Sequence, residues 1–381
     1  MSEQPYFNHV TSESIFKSRF DAEGGKTFSE LTDTAASGWG RPNLLASRVI
    51  RRPKLESILP VLSKYSSPPI LPTEIKAFID GPEETISFHS EHRLVHTYGP
   101  SLGQLWAALS ALTLHQHIDG ASEGSEGDHE DDGGARSKRV RRSTLQDDDF
   151  VSSSMIQVGS SSPITEHSSQ GSSSVGYVDA NSQAHPVPLE DMTLRLAGCV
   201  IRHLLFFGPP QNSDSLPFVV EFRDAKTRLV ATTPHQQRRV VAIDDGGLFL
   251  RENFAGKSRI LKSHVAILEA KKQFQRIENG RPVISDSCFA QMTCEAMAAR
   301  LRGHEEDSNE RDSVVVINFT QHYACILQFE ISNEYLQDFD SATPRSFIYV
   351  YSTPWLDIST KRGRENIVAN LCRLMAWGMD S

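Results

Sequence analysis

The apolar run Val265-Ala-Ile-Leu268 is closed by Glu269-Ala-Lys271, and this junction constrains the fold more than any other segment. In a β-strand, residues i and i+2 stand on the same face. Glu269 and Lys271 are therefore expected side by side at the point where an apolar strand leaves the core. An acid and a lysine so placed suit one kind of chemistry. The carboxylate holds a divalent cation, and the ammonium positions a water or steadies a phosphate. Two further acid-x-Lys triplets occur, Glu74-Ile-Lys76 and Asp224-Ala-Lys226. The first follows Pro72 and reads as a helix start, the second as a hairpin turn. Glu269 differs from both in ending an apolar strand, with a capped helix a short loop later.

The 381 residues suffice for two ordinary domains, or for one domain with long unstructured segments. A hydrophobic content of 38% and a mean hydropathy of −0.36 favour the second. The net charge of −9 argues against a generally basic surface, so any nucleic-acid contact must be a local patch. Five scattered cysteines without a CxxC pair read as reduced thiols, mostly packed in apolar surroundings. The first residues carry neither a basic nor an apolar region of a signal peptide. No run approaches the roughly 18 apolar residues of a membrane span. A soluble intracellular protein without membrane contact is expected.

Residues 1–40 read as a mobile arm and 41–118 as a partly ordered region, in which 102–114 has the pattern of an amphipathic helix. Residues 119–186 read as a disordered linker, acidic around Glu123–Asp132 and serine-rich over 151–174. Between those tracts, Arg136, Lys138, Arg139, Arg141 and Arg142 form a basic run. It reads as a nuclear localisation signal for an importin-type carrier, or as a solvated charge run. The folded domain is expected over 187–381. A helix over 189–207 opens it. A hairpin of 218–222 with 228–232 follows, then a second of 239–243 with 248–250 about the turn Asp244-Asp-Gly-Gly. Strand 265–268 comes next, and a helix capped by Ser285 or Asp286 runs to about 301. Strands 314–319, 324–329 and 347–351 and a helix over 364–377 complete a mixed α/β sandwich with a central sheet.

An opening helix, a meander ending in Glu-x-Lys, a helix and further strands resemble the PD-(D/E)XK nuclease superfamily, the restriction-endonuclease-like fold. The resemblance spans about 187–355. The phrases Ala266-Ile-Leu-Glu-Ala-Lys-Lys, Ile284-Ser-Asp and Ala290-Gln-Met-Thr-Cys-Glu-Ala are also similar to uncharacterised fungal members. The resemblance implies that Glu269 and Lys271 match the third motif, and that Asp245 or Asp244 supplies the other metal-binding acid. The gap between acid and motif is longer than usual, and no proline precedes the acid. Glu190 matches the acid that some members carry on the first helix. Gln291 resembles the helix glutamine of the exonuclease-type branch, although Glu295 stands where that branch has tyrosine. The implied activity is Mg²⁺-dependent hydrolysis of DNA or RNA phosphodiesters, with Lys271, Glu269 and Gln291 in the catalytic set. A fold-keeping inactive nuclear scaffold, and an α/β interaction module without nuclease ancestry, are the alternatives. An active nuclease also needs cations about its cleft; Arg223, Arg228, Arg238, Arg239, Arg251 and Lys272 are the candidates.

Overall fold

A computed structural model describes residues 4–32, 35–66, 70–82, 86, 89–122, 189–213, 216–254, 257–278, 281–306 and 311–380. The basic run at 136–142 and the acidic and serine-rich tracts lie outside the described residues. The N-terminal part comprises α1 (Tyr6–His9), α2 (Glu13–Ala22), α3 (Arg41–Ala46), β1 (Val49–Leu55), α4 (Thr73–Asp80), α5 (Glu91–Tyr98) and α6 (Pro100–Ser122). Next come α7 (Leu189–Phe207), β2 (Phe218–Arg223), β3 (Thr227–Thr232), β4 (Arg239–Asp244), β5 (Gly246–Phe254) and β6 (Lys257–Lys271). A short hairpin, β7 (Arg276–Glu278) and β8 (Arg281–Val283), leads into α8 (Asp286–Glu306). The chain ends with β9 (Ser313–Thr320), β10 (Tyr323–Glu330), α9 (Asn333–Asp338), β11 (Ile348–Ser352), β12 (Leu356–Asp357) and α10 (Lys361–Met379).

The centre is a mixed eight-stranded sheet in the order β1-β11-β10-β9-β6-β5-β2, with β12 beside β10. Helices cover both faces. The β6 side chains alternate between two cores. Ala266 and Leu268 join the core under α4, α6, α7 and α10, with Trp106, Leu204 and Trp377. Ile267 joins the opposite core with Phe289, Met292 and Met297 of α8. That alternation sends Glu269 and Lys271 toward α8, two and four residues beyond Ile267. Strand β6 is parallel to β9, with Glu269 opposite Asn318, so α8 is the crossover between them. The α8 start is set by Ser285, whose Oγ accepts from the Cys288 amide at 3.3 Å.

Four expectations are corrected. The first forty residues include α1 and α2 and bury Tyr6, Phe7, Val10, Phe16, Phe28 and Trp39 in the α8-side core. Tyr6 donates its amide to Asp286 at 2.7 Å and its hydroxyl to the Val49 carbonyl at 2.7 Å. These aromatics are widely spaced in a polar stretch, so no periodicity marks them. The N-terminal region is also part of the main sheet, because β1 pairs in parallel with β11. Third, the two expected hairpins do not form. Strand β3 pairs with β4 as a separate two-stranded sheet, and β2 pairs with β5. Asp244-Asp245-Gly246 is not a hairpin turn but the point where the chain passes from the small sheet to the large one. The helix expected over 102–114 extends over Pro100–Ser122, into the segment read as linker.

Candidate active site

Asp244 and Asp245 end β4 and precede β5, and neighbouring residues of an extended chain project to opposite sides. Asp244 turns to Arg223 at the end of β2 and Thr227 at the start of β3. Its carboxylate accepts from Arg223 Nη1 at 3.0 Å and Nη2 at 2.7 Å, and from the Thr227 amide at 2.9 Å. Burial pushes the Asp244 carboxyl upward, and the Arg223 guanidinium opposes that. All of its strong acceptor positions face protein donors, so Asp244 is a structural clamp.

Asp245 turns to the large sheet and reaches the acid-x-Lys strand. Its amide donates to the Leu268 carbonyl at 3.1 Å, and its Oδ2 accepts from the Ala270 amide at 2.9 Å. Strand β5 begins at Gly246, which lies opposite Leu268 in an antiparallel pair. Asp245 therefore stands beside Glu269, and its charge adds to the rise of the Glu269 pKa. Of the two sequence candidates for the second acid, the structure brings Asp245 to Glu269 and not Asp244.

Glu269 is fully buried, and its Oε1 lies 2.5 Å from Lys271 Nζ. The i, i+2 pairing expected from the strand is present. Lys271 Nζ also donates to Gln291 Oε1 at 3.0 Å, and Gln291 Nε2 donates to Glu295 Oε1 at 3.1 Å. Gln291 and Glu295 are one helical turn apart on α8, on the face turned to the sheet. Burial raises the Glu269 carboxyl to about 7, against the pull of Lys271. Burial also pushes Glu295 well up, and the neighbouring Glu269 charge adds to it. Burial works against the Lys271 ammonium, but the Glu269 carboxylate outweighs it and the pKa is raised. Glu295 has no cation of its own, so it is the acid of this cluster that retains its proton.

Two participants were missed in the sequence. Lys226 Nζ lies 2.8 Å from Asp245 Oδ1. It belongs to the Asp224-Ala-Lys226 triplet read as a turn, and only the β3–β4 fold-back brings it here. Burial lowers its pKa, but Asp245 leads a set of acids, Glu190 and Glu269 included, that raises it above the usual lysine value. Glu190 in the first turn of α7 thus acts on the same cluster. Asn318, opposite Glu269 on β9, is the second.

The donor set suits a hard cation. Both Glu269 oxygens and Asn318 Oδ1 are buried without a well-aligned hydrogen bond, and Asp245 Oδ1 meets only the Lys226 ammonium. Among the described residues, no group of three or more His, Cys, Asp or Glu is arranged to hold a metal ion. Two carboxylates supplemented by amide and carbonyl oxygens are what this site offers.

Elsewhere, the cations expected to line a cleft are partly committed within the protein. Arg223 holds Asp244, Arg251 Nε pairs with Glu221 at 2.7 Å, and Arg238 donates to the Phe28 carbonyl. Cys288, Cys294, Cys325 and Cys372 are buried free thiols, in line with their expected packing. His203 is a core residue, with Nδ1 3.0 Å from Ser101 and Nε2 3.2 Å from the Glu74 carbonyl. Among the described residues, no helix is long and apolar enough to cross a membrane. No family model and no curated protein matches this chain.

Proposed function

We propose that the chain has a PD-(D/E)XK nuclease-like core and acts as a metal-dependent phosphodiesterase on nucleic acid. The observation that carries this reading is the apposition of Asp245 to Glu269 and Lys271 across the β5–β6 pair. The order of elements supports it: α7 opens, an antiparallel set of β2, β5 and β6 ends in the acid-x-Lys, and α8 leads to parallel β9. Asp245 and Glu269 would hold Mg²⁺, with the Ala270 carbonyl as a further oxygen. Mg²⁺ bound there supplies charge stabilisation to a phosphodiester and lowers the pKa of a coordinated water. Lys271, fixed between Glu269 and Gln291, directs its remaining proton toward an attacking water or a phosphate oxygen. Lys226 and Glu190 set the charge around Asp245.

The test is Mg²⁺- or Mn²⁺-dependent cleavage of single- and double-stranded DNA and RNA by the full chain. Asp245→Asn, Glu269→Ala and Lys271→Ala are each expected to lower the rate by about a hundredfold or more. Cleavage that survives all three substitutions means that these residues are not the active site. A second reading, a nuclease-fold protein that binds without cutting, is favoured by one observation. Glu269 has no exposed surface, and Lys226 and Lys271 already neutralise both carboxylates. Retained nucleic-acid binding with no metal-dependent cleavage by the unmodified chain selects that reading.

A further inference from the structure

We propose that the cleft between the N-terminal segment, β1 and β8 binds a phosphate-bearing ligand with a flat apolar body, of the nucleotide class. The cleft has a volume of about 690 Å³, within the roughly 300–1,000 Å³ of small-molecule sites. Its built feature is Arg51, a cation only 7% exposed. One face of the guanidinium lies on Phe7, 4.9 Å from the ring centre. Among the described residues, the side chain makes a single hydrogen bond, from Nη1 to the Pro53 carbonyl at 3.2 Å, and Nε has no partner. Among the described residues no acid pairs with it. Glu278, the acid in the lining, is engaged by Arg276 at 2.9 Å.

A nearly buried guanidinium without a counter-ion is costly unless something supplies one. Its planar fork matches the oxygens of a phosphate or carboxylate. Arg281 lines the same cleft, also without an acid partner among the described residues. Two unpaired cations match the dianion of a phosphate better than one carboxylate. Asn8 and Thr353 add polar groups, and the other walls are apolar and partly aromatic, with Pro282, Pro354 and Trp355 available to a flat ring. Trp355 is itself held, its indole N–H donating to the Pro282 carbonyl at 3.1 Å. The phosphate can belong to a free nucleotide or to the phosphorylated end of a strand. The shared chemistry is the monoester phosphate beside a base.

The experiment is calorimetric titration of the full chain with adenosine 5′-monophosphate, with adenosine, and with a short 5′-phosphorylated single strand. Binding of the monophosphate or the phosphorylated strand is expected, with adenosine weaker by about tenfold or more. The tighter of the two phosphorylated ligands identifies the source. Arg51→Gln should weaken binding by about tenfold or more while the variant still melts cooperatively. If Arg51→Gln does not fold, Arg281→Ala on the exposed rim carries the test, with an expected loss of about threefold. The absence of binding by both phosphorylated ligands at millimolar concentration, or affinity unchanged by the variant tested, overturns the proposal. Glu269→Ala should retain this binding, so loss of cleavage in that variant bears on the catalytic reading alone.

Discussion

Glu269 and Glu295 show how one buried lysine divides the burden between two acids. Lys271 lies 2.5 Å from Glu269, while Glu295 is bonded by the Gln291 amide and shares a hydrogen bond with Glu269. Glu269→Gln leaves Lys271 without its counter-ion, but burial already raises the carboxyl to about 7, so neutralising it should cost little at pH 7, about 1 kcal/mol or less. Glu295→Gln keeps the hydrogen-bond shape and removes the proton site, so stability should be little changed near pH 4 and higher than that of the unmodified chain at neutral pH. Both acids have folded pKa values above the unfolded one. Their stabilisation is therefore fully present below about pH 4, the unfolded glutamate value, and is lost as pH rises through the folded values. For Glu269 that loss begins near pH 4 and is complete near 7. Urea melts between pH 4 and 8 should show a declining contribution that Glu295→Gln flattens; a parallel shift of the whole curve rules the assignment out. Asp244→Asn, by contrast, weakens the contacts with Arg223 and the Thr227 amide. It should cost about 1–3 kcal/mol through lost charge-assisted bonds, without changing the chemistry at Asp245. Equilibrium unfolding and a cleavage assay on the same variant separate the two effects.

At the scale of elements, the decisive feature is the crossing at Asp244-Asp245-Gly246. Gly246 has φ +157°, and a Cβ there would lie 2.7 Å from the Arg223 carbonyl oxygen. Only glycine lets β5 begin this close to β2. Gly246→Ala is expected to cost about 1–3 kcal/mol through backbone strain and to displace Asp245. Scanning calorimetry should show a lower Tm, and an unchanged Tm would mean that the crossing tolerates a side chain. Helix α8 depends on a different device. Phe289, Ala290, Met292, Cys294, Ala296, Met297 and Ala298 have no exposed surface, so nearly every side of this helix is covered. The sheet covers one side, and the β3–β4 ribbon and the N-terminal segment cover others. The helix that carries Gln291 and Glu295 is thereby held rigid between layers, which suits residues that must position a lysine.

For the whole molecule, the important fact is that residues far apart in sequence share one sheet. Strand β1 lies at the sheet edge against β11, and Trp39, Leu44 and Leu45 pack in the core of α8. A fragment of 187–381 leaves the β11 edge bare and this apolar surface exposed. It should aggregate or melt without cooperativity, and co-expression with 1–122 should restore a soluble complex. A monomeric 187–381 fragment with a sharp thermal transition would show that the domain stands without its N-terminal region.

Several of these features were legible in the residues alone. Periodicity marked α6 and α7, because helices often bury one continuous stripe, and a capping serine or aspartate marked the start of α8. The apolar runs marked β6, β9 and β10, and the two-residue repeat placed Glu269 beside Lys271. These are local properties, fixed by chain geometry over a few residues. Strand pairing was not legible, since β2 and β3 have alternating patterns that suit either partner. The choice of Asp245 over Asp244 depended on that pairing, as did the arrival of Lys226 at Asp245. The N-terminal aromatics likewise gained their meaning from α8, some 250 residues along the chain. The sequence by itself determined the strand that sets Glu269 beside Lys271 and several of the helices and strands around it. The tertiary structure decided which other charges meet, because burial and long-range contact are properties of the packed layers and not of any segment.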